Sequence, residues 1–204
     1  MSILPNEEAG RNICNAFEVV HQTYNNLQKF FVDLDSIGED EGFISISSRF
    51  LRYKSDNDVD GWFVRDFIKL FQRRADQKLR GDSGLRNGPI YLVEVDFEGE
   101  TPQLRMAKLV YDDLKNWIPI SVSDHWGFYN PFRDQNNYAF DSIGEYSRIR
   151  PNNARARKES WELKVAIYKQ ADLVEIDTGE KIRSVIFAGL KKLDTVDLYN
   201  PVKE

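Results

Sequence analysis

Residues 90–97 read Ile-Tyr-Leu-Val-Glu-Val-Asp-Phe, and this stretch decides the fold class of the chain. Every second side chain is apolar, which is the period of a β-strand with one buried face. The alternating positions are Tyr91, Val93, Val95 and Phe97. Polar residues over 98–103 indicate a turn, after which 104–111 returns as a second strand. Two strands joined by so short a turn predict an antiparallel pair.

The C-terminal third carries more strand patterns. Apolar residues alternate again at Trp161, Leu163, Val165 and Ile167. Residues 173–176 and 182–187 flank Asp177-Thr178-Gly179-Glu180, a sequence typical of a hairpin turn. These patterns extend the prediction to a mainly antiparallel β-sheet.

A long helix precedes these strands. One apolar stripe follows a 4-3-4-3 spacing through Ile13, Phe17, Val20, Tyr24, Leu27, Phe31 and Leu34. Its aromatic residues favour packing on a sheet, and the expected class is therefore α+β, with a long N-terminal amphipathic helix packed on a mainly antiparallel β-sheet. The same spacing is also that of heptads, so a homodimer through this helix stays open as an alternative.

Between these regions the pattern is less regular. Residues 43–53 predict a strand. Residues 62–71 favour a second helix over a strand, although Asp60-Gly61 is also a hairpin signal. We expect one α+β domain over 1–204, and the loop over 81–89 is the predicted boundary if it divides into a helix-rich part, 1–80, and a strand-rich part, 89–204.

Composition narrows the function classes. The chain has 204 residues, a net charge of −5 and one cysteine, Cys14, which excludes an intramolecular disulfide. The negative charge argues against a protein that coats nucleic acid or anionic membrane with its whole surface. We find no signal-peptide pattern at the start and no run of about 20 apolar residues. We therefore expect a cytoplasmic protein with no membrane partner.

Residues 56–61, Asp-Asn-Asp-Val-Asp-Gly, resemble the first half of a calcium loop. Asp56, Asp58 and Asp60 fall at alternate positions before a glycine, as in a helix-loop-helix calcium site. The position of the closing glutamate is taken by Phe67, which cannot bind a metal. The main interpretation is a polar turn without a cofactor, and a weak calcium or magnesium site is the alternative.

Residues 117–158 combine aromatic side chains with arginines. Such a segment predicts a binding surface for a protein partner, or for nucleic acid through base stacking and phosphate contacts. A long loop held to the core by its aromatic residues is the simpler alternative. The predicted binding residues are Trp126, Phe128, Tyr129, Arg148, Arg150, Arg155 and Arg157.

A third pattern resembles the metal-dependent nuclease chemistry of an aspartate followed by Glu-x-Lys on a strand. Glu162 and Lys164 share a strand face in the predicted pattern, and Asp141 precedes them. No catalytic set is otherwise complete in the sequence. The leading hypothesis is a non-enzymatic cytosolic domain that binds a protein partner. The alternative is a metal-dependent nuclease, with Asp141, Glu162 and Lys164 as catalytic residues, or a nucleic-acid-binding protein.

Overall fold

The centre of the molecule is one seven-stranded sheet. The computed structural model describes residues 7–47, 49–81 and 83–198. The strands are β1 (Phe43–Ser45), β2 (Asp66–Arg73), β3 (Ile90–Asp96), β4 (Gln103–Tyr111), β5 (Tyr138–Ile143), β6 (Tyr146–Pro151) and β7 (Leu163–Asp172). Their order is β1-β2-β3-β4-β7-β6-β5, and every neighbouring pair is antiparallel. The α+β class with a long N-terminal helix and an antiparallel sheet is confirmed.

One long helix and several short ones surround the sheet. The helices are α1 (Glu7–Asp40), α2 (Val59–Trp62), α3 (His125–Tyr129), α4 (Ala154–Glu159), α5 (Gly179–Lys181) and α6 (Ala188–Lys192). A π-helical segment, Ile182–Phe187, joins α5 to α6, and single 3₁₀ turns lie at Val122–Asp124, Asn130–Phe132, Leu173–Glu175 and Leu193–Thr195. Within the part of the chain that the structure describes, no helix is long and apolar enough to cross a membrane.

The first face of the sheet packs against α1 and the C-terminal helical segment 179–195. The strands contribute Phe67, Phe71, Tyr91, Val93, Val95, Leu104, Met106, Val165 and Ile167 to this core. From the C-terminal half of α1, Leu27, Phe31 and Leu34 pack on them. The N-terminal half of α1 lies outside this core, since Phe17 of the same stripe is 73% exposed.

The second face is covered by the irregular segment 112–133, which includes α3. The strands contribute Ile68, Leu70, Ile90, Leu92, Ala107, Leu109, Ile149 and Ala166. Phe128 and Phe132 of the covering segment are buried against them. Gly127 allows the close approach of α3 to Trp161, because a Cβ at this position would lie 2.2 Å from the indole ring.

The predicted helix over 62–71 is wrong. Only one helical turn, α2, is present, it ends at Trp62, and β2 begins at Asp66. Every residue of β2 except the last is buried, because the strand is covered on both faces. A strand that is buried on both faces lacks the hydrophobic alternation of a half-buried strand and is easily read as a helix.

The predicted hairpin over 173–187 is also wrong. Residues 173–175 form a 3₁₀ turn, and 179–192 form the C-terminal helical segment. Thr178 caps this segment, because its hydroxyl accepts a hydrogen bond from the backbone amide of Lys181. The Asp-Thr-Gly-Glu sequence therefore starts a helix rather than a turn between strands. The predicted strand over 43–53 is limited to β1 and one isolated bridge at Leu51.

Candidate functional site

The seven predicted binding residues do not form one surface. Phe128 is fully buried in the second-face core, whereas Trp126 and Tyr129 of the same helix line an open recess. Arg148 and Arg150 alternate with Ile149 on β6, so they lie on the first face, opposite α3. Segment 117–158 is thus divided between the two sides of the sheet.

The arginines of that segment pair with acids of the same chain. Arg148 is 2% exposed and forms a bidentate salt bridge with Asp141, with N–O distances of 2.7 Å. Arg150 also bonds Asp141. The hydrogen bond from Arg148 holds the pKa of the Asp141 carboxyl below its usual value. On α4, Arg155 pairs with Glu159.

The predicted nuclease residues are not brought together. Asp141 pairs across the sheet with Arg148, which in turn pairs with Ile167 of β7. Glu162 precedes Ile167 by five positions, roughly 16 Å along a strand. Ligands of one ion lie within about 5 Å of each other, so Asp141 and Glu162 cannot share a cation.

Glu162 and Lys164 have other partners. Glu162 has a φ of 65°, lies just before β7 and bonds Arg157. Arg157 also pairs with Asp112. The second partner of Asp112 is Lys164, whose Nζ lies 2.6 Å from Asp112 Oδ1. Within the described residues, no group of three or more His, Cys, Asp or Glu side chains is arranged to hold a metal ion.

The acidic loop is organised around Asp58. Its Oδ1 accepts from the amide of Gly61, and its Oδ2 accepts from the hydroxyls of Tyr53 and Ser55. Gly61 is required because a Cβ there would lie 2.0 Å from the Ser55 carbonyl oxygen. Asp56 is exposed, and the side chain of Asp60 lies outside the described part of the structure. Asp58 therefore caps α2.

A recess beside this loop is the strongest candidate site. Its volume is about 200 Å³. We call it the aromatic recess, and it is lined by Tyr53, Asp58, Phe63, Arg65, Asp66, Glu98, His125, Trp126 and Tyr129. Four aromatic rings and three carboxylates thus surround one opening, while the start of β2 and α3 supply its floor.

A buried pair fixes α3 at the floor of the recess. Asp66 is the first residue of β2, His125 is the first residue of α3, and His125 Nε2 hydrogen-bonds Asp66 Oδ2. Both residues are at least 95% buried. His125 Nδ1 is also buried and has no hydrogen-bond partner within the described chain. The pair holds α3 against the sheet and leaves one polar ring atom unused.

A charge network lies behind the recess on the same sheet face. Glu94 is fully buried and pairs with Arg105 and Arg133. Arg133 also contacts Asp96 at 2.6 Å and Glu98 at 3.6 Å. Because β2, β3 and β4 pair in register, these side chains lie near the same end of the sheet. The network connects the wall of the recess to the sheet interior.

Tyr129 joins the network to the recess. Its hydroxyl contacts both carboxylate oxygens of Glu98 at 3.1 Å. The guanidinium of Arg133 stands 3.7 Å from the centroid of its ring. Burial raises the pKa of Tyr129 to about 12; the charge of Arg133 lowers it, and that of Glu98 raises it. The hydroxyl therefore stays protonated and holds Glu98 at the rim.

The recess offers contact surface around a buried polar pair. A histidine held by an aspartate is a general base only where its second nitrogen reaches a substrate. His125 Nδ1 is covered by protein, and the described residues lining the recess include no serine, threonine or cysteine nucleophile. Exposed aromatic rings around a polar floor instead provide contact area and orientation.

A larger cavity lies elsewhere and is less informative. It measures about 520 Å³ and lies between α1 and residues 173–182. Its charged lining residues are Lys29, Asp33 and Asp177, all of which are exposed. Exposed charges of this kind are ordinary surface groups. The aromatic recess, in contrast, is built on buried ionisable groups, which are costly to bury and concentrate at functional sites.

The sequence interpretation identified only part of this recess. Trp126 and Tyr129 were predicted, whereas Phe63, Asp66 and Glu98 were not. One signal was available, since Asp66 stands directly before Phe67 and Ile68 at the start of a mainly apolar stretch. The pairing of Asp66 with His125, 59 residues away, depends on the tertiary structure alone. No protein-family model matches this chain, and comparisons with curated proteins and with solved structures also found no match.

Proposed function

We propose that this protein is a cytoplasmic partner-binding domain that captures another protein through the aromatic recess and its rim. The observation that carries the proposal is the exposure of Phe63 and Trp126, at 45% and 49%, around one opening, together with the 70% exposure of Trp62 beside Phe63 in the chain. Phe63 and Trp126 line the recess, and Trp62 precedes Phe63 at the end of α2. Exposed aromatic clusters of this kind are typical of protein interfaces.

The recess has the features of an interface anchor site. Tyr53 packs edge-on against Trp126, with centroids 5.4 Å apart, and Trp126 stands perpendicular to Tyr129. These contacts hold the rings in place before a partner arrives, so little side-chain entropy is lost on binding. Tryptophan and tyrosine in pre-organised pockets supply much of the energy of known interfaces.

Charge favours a protein partner over nucleic acid. Arg148, Arg150, Arg155 and Arg157 all form ion pairs with carboxylates of this chain. Binding phosphate would require them to give up those partners. The recess itself carries more carboxylates than guanidinium groups, which repels a phosphate backbone. Cys14 is a free thiol, which is typical of proteins in a reducing compartment, and we expect the partner in the same compartment.

The test is affinity purification from the native host, with mass spectrometry and nucleic-acid staining of the co-eluting material. We expect Trp126→Ala to reduce recovery of the specific partner by roughly tenfold, as for a hot-spot residue. Trp62→Ala should reduce it as well. Arg155→Ala is the control, because Arg155 is exposed on α4 and does not line the recess.

Two outcomes would reject the proposal. Recovery that is unchanged in both tryptophan variants would remove the recess as the binding surface. Recovery that falls only in Arg155→Ala, with nucleic acid in the eluate, would favour the nucleic-acid alternative. Circular dichroism and urea unfolding of each variant distinguish a lost contact from a lost fold.

A further inference from the structure

The size of the aromatic recess fits one side chain. Its volume of about 200 Å³ is below the range of about 300 to 1,000 Å³ for pockets that enclose drug-sized ligands. The opening is bordered by Tyr53, Phe63 and Trp126. A long side chain inserted between these rings would fill it, while the chain carrying that side chain would lie across the rim.

The charges lining the recess are predominantly negative. The lining contains three carboxylates, those of Asp58, Asp66 and Glu98, and one guanidinium, that of Arg65. Their formal charges sum to −2 when His125 is counted as neutral. The network behind it does not neutralise this excess. Glu94 and Asp96 there add two negative charges and Arg105 and Arg133 add two positive ones, so the sum stays at −2. Partly buried charges are poorly screened by salt, and a cation is attracted to this position.

The aromatic walls favour the same kind of ligand. The faces of tryptophan and tyrosine rings carry negative quadrupole charge and attract guanidinium and ammonium groups. The molecule already shows this contact at the recess, because the guanidinium of Arg133 stacks on Tyr129. Trp126 lies perpendicular to Tyr129 with 5.7 Å between centroids, so the two rings form adjoining walls rather than a closed stack.

The apolar rim indicates that the cation belongs to a protein chain. Val59 and Trp62 of α2 are largely exposed next to lining residues Asp58 and Phe63. A free small amine would occupy the recess and leave this rim in water. A cationic side chain on a polypeptide would bring neighbouring residues against the rim and cover it.

We propose that the aromatic recess receives an arginine or lysine side chain of the protein partner. The cationic head lies in the recess against the ring of Trp126 and faces the carboxylate of Glu98, and the neighbouring residues of the partner cover Trp62. This inference rests on the proposed partner-binding function and specifies the chemistry that the recess recognises.

The test uses blocked single amino acids as probes. N-acetyl-arginine amide and N-acetyl-lysine amide supply the cation, and N-acetyl-citrulline amide has nearly the shape of arginine without its charge. The readout is the indole N–H signal of Trp126 in ¹⁵N NMR spectra, assigned by its loss in Trp126→Phe. We expect saturable shifts with a cationic probe, and binding of citrulline weaker by roughly tenfold, since the charge supplies the attraction.

A matched pair of variants locates the cation. Glu98→Gln removes a recess charge and keeps an oxygen that accepts from Tyr129. Glu100→Gln removes the same charge from an exposed position in the same turn, outside the recess. We expect Glu98→Gln to weaken arginine binding by roughly threefold or more and Glu100→Gln to leave it unchanged.

The outcomes separate this inference from the proposed function. The inference that the recess receives a cationic side chain is rejected by either of two results. One is equal binding of the arginine and citrulline probes, and the other is no shift of the Trp126 signal up to the solubility limit of the cationic probes. If the partner is nevertheless lost in Trp126→Ala, the proposed function stands without it. If the arginine probe binds as expected and the tryptophan variants still capture the partner, the recess recognises a cation but the proposed partner surface is rejected.

Discussion

The two faces of the sheet bury charge in different ways. On the first face, Lys69 is 4% exposed at its side chain, but its partner Asp35 is 43% exposed. On the second face two pairs are buried at both members: Arg105 and Glu94 at 8% and 0%, and His125 and Asp66 at 2% and 8%. A half-exposed pair keeps much of its hydration. A fully buried pair loses it and contributes little net stability.

This difference identifies the second face as the specialised one. A fold of this size needs a helix over one face and some cover over the other, and apolar residues would supply both. Buried ionisable groups beyond that requirement concentrate at sites that bind or react. The proposed binding surface therefore lies at the second face.

The largest expected effect is on the second face. Replacing Glu94 with Gln leaves the buried Arg105 without its counter-ion and removes one partner of Arg133. We expect a loss of about 3 to 5 kcal/mol in the free energy of unfolding, measured by urea titration. The control is Glu145→Gln, which removes an exposed pair with Lys169 and should cost less than about 1 kcal/mol. Equal losses in both variants would erase the contrast between the faces.

The next effect belongs to the first face. Leu34 is fully buried on the side of α1 that packs on the sheet. Leu34→Ala should lower the free energy of unfolding by about 3 kcal/mol, because it removes apolar contact and leaves a cavity. The folded fraction should still capture the partner, because Leu34 is on the face opposite the recess. Val32→Ala, on the exposed side of the same helix, should stay within about 0.5 kcal/mol. A loss of partner capture in folded Leu34→Ala would show that the two faces are coupled.

Asp141 gives a smaller effect that depends on pH. Asp141→Asn weakens the contact with buried Arg148 and should cost about 2 kcal/mol at neutral pH. The folded pKa of Asp141 lies below its unfolded value, so its stabilisation is complete above the unfolded pKa and is lost as pH falls through the folded pKa.

The gap in urea midpoint between wild type and Asp141→Asn should therefore be constant near neutral pH and narrow below about pH 4. Asp33→Asn, an exposed change on α1, is the control and should show no such gap. A gap that widens on acidification would mean that the Asp141 carboxylate does not stabilise the fold.

The smallest effect on stability is expected at the rim of the recess. Trp62 is 70% exposed, and its indole bonds only the backbone oxygen of Asp56 among the described contacts. Trp62→Ala should change the free energy of unfolding by no more than about 0.5 kcal/mol. The same variant should lose partner capture. A large loss of stability, measured by urea unfolding, would make Trp62 a structural residue instead.

The elements with a single hydrophobic period were the more predictable ones. The alternation over 90–97 and the stripe of α1 each have a single period, and both elements form as expected. Residues 62–71 were misassigned because β2 is buried on both faces and loses its alternation. The segment 173–187 was misassigned because a cap such as Thr178 and a hairpin turn use the same residue types.

The site was less predictable because it is assembled from distant segments. Asp66, Glu98 and His125 belong to three elements, and no local pattern relates them. The acidic loop illustrates the converse. Its alternating aspartates are conspicuous in the sequence, and in the structure Asp58 caps the single turn of α2. The arginine-rich segment shows a similar limit: charge is visible in the sequence, but the acid that pairs with it is not.

The sequence by itself determined the α+β class, the antiparallel strands around β3 and β4, and the amphipathic helix α1, because hydrophobic periods depend on local geometry. The tertiary structure alone decided which face each charge occupies and which partner it meets. It buried Phe128 and exposed Trp126, two residues apart on one helix. The physical reason is that pairing and burial depend on contacts between residues far apart in the chain, and here those contacts, such as Asp66 with His125, define the recess.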